Sequence, residues 1–289
     1  MGSMGSNSPV SSVAVLGFGT MGQSIARLLL RHGVEVSAYD PLVDAASLPE
    51  SVAAVRLAPT LEECLDGADV VIEAVFEQLD VKLELLERVS NATEAIIASN
   101  TSTFMPSLLV DAVRRPERFL IAHFFNPADV VPLVEIVPGP HTDPEAVRTV
   151  FDLMVALDRK PVLLERECPG FVANRLQAAM ARECIALIEQ GIVSPEGIDQ
   201  IVKTALAPRW KAAGPIGVAD LAGLDIYLAL STQLFPSLSD TTEPQRTLRE
   251  LVENGSLGAK SGQGFYSYTP EGLAETRAAI AAEFETPAR

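Results

Sequence analysis

A glycine-rich stretch near the amino terminus limits the folds open to this chain more than any other feature of its sequence. The apolar run 13–17 has the β-branched character of a buried parallel strand, and it leads into Gly17-Phe-Gly-Thr-Met-Gly22. A helix is predicted over 23–31, a second strand over 34–39, and an acidic residue, Asp40, follows that strand. This order of strand, G-x-G-x-x-G, helix, strand and acid predicts a βαβ unit that binds a dinucleotide.

Each glycine of this stretch has its own role in such a unit. Gly17 permits the tight turn, Gly19 lets the backbone approach a pyrophosphate, and Gly22 allows close packing of helix on strand. The backbone N–H groups at the start of the helix, near Thr20 and Met21, are then expected to meet the anion.

Asp40 indicates which dinucleotide is bound. Its carboxylate is expected to accept hydrogen bonds from the adenosine ribose hydroxyls and to repel a 2′-phosphate. No arginine follows it in Pro41-Leu42-Val43 to bind that phosphate. The sequence therefore favours NAD over NADP, with a solvated turn residue as the alternative for Asp40.

Apolar runs of strand length alternate with helical segments along the first half of the chain. Strands are also predicted over 70–75, 95–99, 119–125 and 133–137. A helix is predicted over 79–89, between two of these strands. The alternation favours an α/β fold with an N-terminal, Rossmann-type doubly wound sheet over residues 10–167.

The second part of the chain, residues 168–289, is predicted to be all-helical, because its apolar residues recur at helical spacing. Its predicted helices cover 175–189, 195–207, 224–234, 245–253 and 271–284. Residues 1–9 include Met1-Gly-Ser-Met-Gly-Ser6, which is interpreted as a tag with a flexible lead-in and is left out of the fold.

The charge balance and the residue counts argue against several classes of protein. With 22 Lys and Arg against 38 Asp and Glu, the net charge is −16, which disfavours a nucleic-acid partner. Three cysteines without a C-x-x-C pair, and three histidines, disfavour a disulfide framework or a zinc site, so no metal is expected. No apolar run reaches the roughly 18–20 residues of a membrane span. A cytoplasmic protein without a membrane partner is therefore the expectation.

His123 and Glu135 form the candidate acid/base pair. Glu135 lies within an apolar run, where a carboxylate is costly to bury without a partner. An imidazole that this carboxylate orients would be an effective acid/base, because histidine titrates near neutral pH. The alternative for His123 is a structural residue with a hydrogen-bonded ring. His32 is interpreted as a cap at the end of the first helix, and His141 as part of a surface loop.

At this point the chain resembles the L-3-hydroxyacyl-CoA dehydrogenase family along nearly its whole length. The matching stretches are Gly17–Gly22 with Asp40, Glu73–Glu77 with Lys82, Ser99–Ser102, His123–Pro127, Leu133–Glu135, Pro169–Arg175, Gly214-Pro215, Gly223–Asp225 and Gly258–Tyr266. So many matches in the same order are specific to this superfamily.

The resemblance implies a dehydrogenase that moves a hydride between NAD and C3 of its substrate. His123 would take the hydroxyl proton, and Glu135 would orient its ring. Ser102 and Asn174 would bind the reacting oxygen. Further cofactor contacts are implied for Ala74, Glu77, Lys82, Asn100, Asn126 and Lys260. The alternative for Asn174 is a helix cap, and the alternative for Lys260 is a solvated charge in a glycine-rich loop.

The chain departs from the CoA-dependent members of that family in one segment. Those enzymes usually carry a long, lysine-rich helical hairpin after the second strand, which contacts the CoA nucleotide. Here only 29 residues, 41–69, separate Asp40 from Val70, and Arg56 is their sole basic residue. Because CoA phosphates need cationic partners, the sequence leaves open whether the substrate's carrier is CoA, a smaller group or none.

Arg209 and Trp210 are candidates for contacts with the substrate. Relatives that act on gulonate or carnitine carry an arginine followed by an aromatic residue at a similar place, before a Gly-Pro pair. Arg209 could hold a free carboxylate in a bidentate clamp. Packing of Trp210 against the stem of Arg209 is the alternative.

The predicted function is that of an NAD-dependent oxidoreductase of the 3-hydroxyacyl-CoA dehydrogenase type, for example in fatty acid metabolism. It would interconvert a small-molecule L-3-hydroxyacyl compound and its 3-keto form with the His–Glu pair. One alternative is the same chemistry on a free or non-CoA 3-hydroxy acid, gulonate- or carnitine-like, and another is a non-catalytic NAD-binding protein. The resemblance further implies a homodimer, formed largely by the helical domain that also closes over the substrate.

Overall fold

The structure, a computed structural model, describes residues 10–285; residues 1–9, interpreted from sequence as a tag and lead-in, lie outside the described residues, as do 286–289. The strands are β1 Ser12–Leu16, β2 Glu35–Tyr39, β3 Arg56–Leu57, β4 Val70–Glu73, β5 Ile96–Ser99, β6 Phe119–Phe124, β7 Leu133–Pro138 and β8 Lys160–Leu163. The α-helices are α1 Thr20–Arg31, α2 Leu61–Leu65, α3 Leu79–Ala92, α4 Pro106–Leu109, α5 Pro144–Ala156, α6 Phe171–Glu189, α7 Pro195–Ile201, α8 Ala207–Ala222, α9 Leu224–Leu234, α10 Arg246–Glu253 and α11 Pro270–Glu285.

The strands form one sheet in the order β3-β2-β1-β4-β5-β6-β7-β8. Neighbouring strands are parallel except β6 and β7, which are antiparallel. The strand order reverses direction at β1, between β2 and β4, and ligands of doubly wound sheets bind at such a point. The predicted α/β fold, with a Rossmann-type sheet followed by an all-helical region, is confirmed.

The core lies on both faces of the sheet. Val13 and Val15 of β1 pack into one hydrophobic cluster together with α1, whereas Ala14 and Leu16 pack into a second cluster together with α3. All four side chains are at most 1% exposed. Because β1 is buried on both faces, its sequence is continuously apolar rather than alternating.

Helix α1 begins at Thr20, three residues earlier than predicted. Gly19 is its N-cap, in an extended conformation, and Gly22 lies within the first turn. A Cβ on Gly22 would lie 2.0 Å from the carbonyl oxygen of Gly17. The prediction placed the start too late because glycine is a poor helix former, but this glycine is what allows the helix to pack against the turn.

The far edge of the sheet differs from the prediction. Strand β7 runs antiparallel to β6, with residues 125–132 connecting them. Strand β8 was not predicted at all. Its four residues are mostly exposed and include Lys160 and Pro161. Lysine and proline are typical of edge strands and weaken the sequence pattern of a strand.

The chain divides into two compact units, the first ending at Val172 and the second beginning at Ala173. Within the second unit, α7 continues through a π-helical turn, Val202–Leu206, into α8. The predicted end of this helix near 207 is therefore wrong. The helix path breaks later, at Gly214, where φ is +69°. Pro208 lies in the first turn of α8, directly after the π-helical turn.

Many large apolar side chains are on the surface of the second unit. Of the described residues from 173 onward, only Ala186 and Ala219 are buried. Ile216, Leu221 and Leu228 are 81%, 82% and 70% exposed. Exposed apolar surface on this scale is typical of a region that contacts another chain.

Two further features concern the described residues as a whole. No single helix among them is long and apolar enough to cross a membrane. The pair Pro195–Ala222 and Leu224–Ser237, bent by 95°, has sufficient length and apolar composition only when both members are taken together. Within the same residues, no group of three or more His, Cys, Asp or Glu side chains is placed to hold a metal ion.

Candidate active site

The glycine-rich turn between β1 and α1 leaves room for an anion bound by the backbone. Gly17 has φ +85°, and a Cβ on it would lie 2.7 Å from the carbonyl oxygen of Ala74. A Cβ on Gly19, in contrast, would meet no atom within 4 Å. Thr20 and Met21, which begin α1, line the same cavity as Gly19, and the positive end of a helix favours an anion. The turn therefore fits the pyrophosphate of a dinucleotide.

Asp40 lies just after β2 and is hydrogen-bonded to the same turn. Its Oδ2 accepts a hydrogen bond from the N–H of Phe18 at 2.7 Å, and its Oδ1 accepts one from the N–H of Leu42 at 2.9 Å. Asp40 lines a cavity of about 490 Å³ beside the turn. This is the position expected of the acid that binds the ribose hydroxyls.

The cavity brings together predicted residues and residues that the sequence did not indicate. The predicted residues that line it are Gly17, Gly19, Thr20, Met21, Asp40 and Ala74. Leu42 and Phe76 line it as well, although they are 77% and 70% exposed, and so does Arg88 of α3. Each of Leu42 and Phe76 lies three residues after the last residue of a strand, β2 and β4 respectively. Their exposed apolar surface suits the adenine ring.

His123 and Glu135 are directly opposite each other in the antiparallel pair β6–β7. Nδ1 of His123 lies 2.9 Å from Oε2 of Glu135, and the two residues are 3% and 2% exposed. Oε1 of Glu135 accepts a hydrogen bond from the N–H of Val172 at 3.0 Å. An ionised carboxylate can only accept, so this arrangement assigns the ring hydrogen to Nδ1 and leaves the lone pair on Nε2.

Ser102 and two aromatic rings hold the other side of the imidazole. Oγ of Ser102 lies 3.1 Å from Nε2 of His123. The rings of Phe125 and Phe171 lie with their centroids 4.5 Å and 5.4 Å from that of His123. Sequence reasoning did not single out Phe171, whose φ of +51° is unusual for a residue other than glycine. The imidazole is therefore fixed at both nitrogens and beside both rings.

The segment that carries Ser102 is attached to Glu77. Oε1 of this carboxylate accepts hydrogen bonds from Oγ1 of Thr101 at 2.5 Å, the N–H of Ser102 at 2.9 Å, and the N–H and Oγ1 of Thr103 at 3.0 and 2.7 Å. Burial alone would raise the pKa of Glu77, but the hydroxyl hydrogen bonds and the nearby charge of Lys82 hold that pKa below its ordinary value. Glu77 is therefore charged at neutral pH.

Lys82 of α3 is buried between two carboxylates. Its side chain is 1% exposed, and Nζ lies 2.7 Å from Oε1 of Glu73 and 3.3 Å from Oε2 of Glu77. Glu73, fully buried at the end of β4, also accepts hydrogen bonds from Oγ of Ser99 at 2.5 Å and the N–H of Val75 at 2.8 Å. The sequence placed Lys82 near the cofactor by resemblance and gave no sign of this network.

The two predicted asparagines of the first unit lie after β5 and β6. Asn100 donates its N–H to the carbonyl oxygen of Glu73 at 2.7 Å, and its Oδ1 accepts from the N–H of Phe124 at 2.9 Å. It therefore links the ends of β4, β5 and β6. Asn126 is exposed and precedes Pro127 in a cis peptide bond.

Four predicted residues belong to the second unit: Asn174, Lys260, Arg209 and Trp210. Asn174 lies within the first turn of α6, which begins at Phe171, so its interpretation as a helix cap is wrong. Nε of Arg209 donates to a backbone carbonyl one turn earlier at 2.8 Å, and the residue is exposed. Trp210 is half-buried, and Lys260 is exposed in the loop between α10 and α11.

Comparison with family models identifies both parts of the chain. Residues 41–168 match the 3-hydroxyacyl-CoA dehydrogenase NAD binding domain, and residues 170–268 match the 3-hydroxyacyl-CoA dehydrogenase C-terminal domain. Residues 3–78 also match the NAD binding domain of the D-isomer specific 2-hydroxyacid dehydrogenases. Both N-terminal matches are to domains that bind NAD, as the glycine-rich turn and Asp40 predict.

Individual relatives are similar over nearly their full length. An L-carnitine dehydrogenase from Burkholderia mallei is 33% identical, over 94% of this chain and 95% of its own. The solved structure of 5-formyl-3-hydroxy-2-methylpyridine 4-carboxylic acid 5-dehydrogenase, an NAD⁺-dependent dismutase, has a TM-score of 0.86 and 32% identity, covering 95% of this chain and 96% of that one. An (S)-3-hydroxybutyryl-CoA dehydrogenase from Ralstonia eutropha has a TM-score of 0.72 and 31% identity, covering 90% and 99%.

These matches agree with the predicted cofactor and with the predicted class of enzyme. The chain is an NAD-dependent oxidoreductase, and it belongs to the 3-hydroxyacyl-CoA dehydrogenase family.

Proposed function

We propose that the protein interconverts an L-3-hydroxyacyl compound and its 3-keto form, with His123 as the acid/base. The observation that carries the proposal is the imidazole itself, which is buried, held at Nδ1 by Glu135 and bound at Nε2 by Ser102. A carboxylate at Nδ1 fixes the tautomer that leaves the lone pair on Nε2, which is the arrangement that a general base needs.

Each group has a role in proton transfer. During oxidation, Nε2 of His123 takes the proton of the substrate hydroxyl, while Glu135 stabilises the imidazolium that results. The hydroxyl of Ser102 donates a hydrogen bond to the substrate oxygen, a role that the resemblance also gives to Asn174. Bound NAD⁺ supplies the acceptor for the hydride that leaves C3. In the reverse direction the imidazolium returns its proton to the oxygen of the reduced keto group.

The segment between β2 and β4 favours a substrate without CoA. Residues 41–69 form two single-turn 3₁₀ helices, the two-residue strand β3 and the five-residue helix α2. Their one basic side chain, Arg56, donates a hydrogen bond to the carbonyl oxygen of Glu63 at 2.9 Å. The relative with the TM-score of 0.86 is named for a pyridine carboxylate, and the L-carnitine dehydrogenase is named for another carboxylate without CoA. We therefore favour a free 3-hydroxy acid over the acyl-CoA that the sequence alone put first.

Substrate assays test this choice. Rates of NADH formation with L-carnitine, L-gulonate and L-3-hydroxybutyrate are compared with the rate of NADH formation with L-3-hydroxybutyryl-CoA. We expect one of the free acids to give a kcat/KM at least about tenfold above that for the CoA ester, a difference of about 1.4 kcal/mol. A higher kcat/KM for the CoA ester would overturn the carrier-free proposal and leave the reaction class intact. NADH binding without turnover of any substrate would support the non-catalytic alternative.

A variant of Arg209 tests whether this residue binds the carboxylate of a free acid. If its guanidinium clamps the substrate carboxylate, Arg209→Ala should raise KM for the free acid about tenfold or more, as the loss of a bidentate charge-assisted pair predicts. The matched control is Arg277→Ala, an exposed arginine of α11. An unchanged KM in Arg209→Ala would contradict the clamp.

We also propose that the protein is a homodimer, formed by the second unit. The exposure of Ile216, Leu221 and Leu228 supports a second copy as the partner. Sedimentation equilibrium should give a mass of about 62 kDa, twice the 30.8 kDa of one chain. Leu221→Asp should reduce this mass to that of one chain, whereas Val155→Asp, at an exposed apolar position of the first unit, should not. A monomeric parent protein would contradict the proposal.

A further inference from the structure

Thr101 has a buried hydroxyl to which neither the sequence nor the resemblance gave a role. It lies two residues after the end of β5, and it is 0% exposed. Its Oγ1 donates to Oε1 of Glu77 at 2.5 Å and accepts hydrogen bonds from the N–H groups of Phe104 and Thr103 at 3.0 and 3.3 Å. The hydroxyl therefore joins a carboxylate on one side to the turn that follows it on the other.

Ser102 lies within that turn, and hydrogen bonds on both sides of it attach its backbone to Glu77. Its own N–H donates to Oε1 of Glu77, as do groups of both neighbours, Thr101 and Thr103. Among the residues that the structure describes, the hydrogen bond made by Oγ of Ser102 is the one to Nε2 of His123. The position of this hydroxyl relative to the imidazole is thus set by the backbone that Thr101 and Glu77 hold.

The other carboxylate oxygen of Glu77 is held by an ion pair. This oxygen, Oε2, lies 3.3 Å from Nζ of Lys82, which is itself bound to Glu73 inside the protein. The acceptor for the Thr101 hydroxyl is therefore attached to a buried ion pair rather than to a mobile surface side chain. Of the two threonine hydroxyls on Oε1, that of Thr101 is buried, whereas Thr103 is exposed and water can replace its hydroxyl.

We propose that Thr101 is a positioning residue, whose hydroxyl holds Ser102 in hydrogen-bonding reach of His123. The expected effect on turnover rests on the proposed function. The hydrogen bonds that hold Ser102 near His123 do not depend on it. Loss of the hydroxyl leaves the N–H of Phe104 without this acceptor, and it removes one of the hydrogen bonds that attach the turn to Glu77. Ser102 then samples positions out of reach of Nε2, and a displacement of this size in a catalytic group lowers turnover.

The test uses substitutions that separate the hydroxyl from the shape of the side chain. Thr101→Val keeps the shape and removes the hydroxyl, and Thr101→Ser keeps the hydroxyl and removes the methyl group. Thr103→Val is the matched control, because it makes the same change at the exposed donor to the same oxygen. Thr101→Ala replaces Thr101→Val if the buried valine prevents folding.

The first readout does not require turnover. The ¹⁵N chemical shift of Nε2 reports its hydrogen bond, and His123→Asn assigns the signal among the three histidines. We expect Ser102→Ala and Thr101→Val to move this shift in the same direction, and Thr101→Ser and Thr103→Val to leave it near the parent value. If Thr101→Val leaves the shift unchanged, or if Ser102→Ala does, the proposal is overturned.

The second readout is kcat with the best substrate found for the parent. Thr101→Val should lower kcat about tenfold, with KM for NAD⁺ unchanged within about twofold. Added to Ser102→Ala, the same substitution should change kcat by less than about twofold, because residues that act through one group are not additive. An equal loss in both backgrounds would mean that Thr101 does not act through Ser102. Failure of the parent to turn over any substrate would overturn the proposed function and would leave the nitrogen-shift result standing.

Discussion

Replacement of His123 by asparagine is expected to lower kcat by about three orders of magnitude, within the range that general acid/base catalysis contributes. Nε2 of the imidazole is the group placed to exchange a proton, and Glu135 holds Nδ1 from the other side. Asparagine fills part of the same space and forms hydrogen bonds, but it does not titrate near neutral pH. Steady-state assays that follow NADH, with the best substrate of the parent, measure the effect.

Cofactor binding provides the internal control for this variant. The dinucleotide cavity is lined by the glycine-rich turn, Asp40 and one face of α3. The Kd for NADH, measured by fluorescence titration, should therefore change by less than about twofold. His32→Asn and His141→Asn should keep the kcat of the parent. A loss smaller than tenfold in His123→Asn would show that another group moves the proton.

Replacement of Lys82 by methionine is expected to lower the free energy of unfolding by about 3–5 kcal/mol, the cost of removing one partner of a buried ion pair. The methionine side chain fills much of the same volume. Glu73, however, loses its cationic partner in a fully buried position, and among the described residues its carboxylate keeps a serine hydroxyl and one backbone N–H as donors. Urea unfolding at neutral pH measures the change.

Two further variants separate the effect of leaving the Glu73 carboxylate without a cation from other effects of the Lys82 substitution. Adding Glu73→Gln to Lys82→Met removes that charge and should recover about half of the loss. Arg115→Met breaks an ion pair with Glu94 whose members are 42% and 64% exposed, and it should cost less than about 1 kcal/mol. A loss in Lys82→Met as small as that in Arg115→Met would contradict the buried-pair interpretation.

The first βαβ unit was predictable from sequence because its determinants are local. Continuous apolar character gives a strand buried on both faces, and the spacing of Gly17, Gly19 and Gly22 gives the turn. Asp40 follows at the end of the next strand. The structure and the family matches confirm the fold and the cofactor. The start of α1 was predicted three residues too late for an equally local reason, because Gly22 in the first turn has a low helix propensity.

The acid/base pair depends on information that is not local. His123 and Glu135 face each other because β6 and β7 are antiparallel in one particular register, and nothing in either run specifies that direction. The buried ion pair of Glu73 and Lys82 was harder to predict than the acid/base pair. Glu73, Glu77 and Lys82 are four and five residues apart along the chain, and only the packing of α3 shows that one carboxylate and the ammonium group are buried against each other. The catalytic and cofactor roles carried over by resemblance stay predictions until the variants are measured.

The ladder between β6 and β7 determines where the gene can tolerate insertions. Five consecutive residue pairs, from Leu120–Pro138 to Phe124–Val134, place the histidine and the glutamate on the same face. One residue added within β6 would turn His123 to the opposite face of the sheet relative to its partner, and one added within β7 would do the same to Glu135. The same residue added in the connection 125–132 leaves the ladder unchanged. Variation in length among descendants of this chain should therefore accumulate between the two strands and be absent inside them.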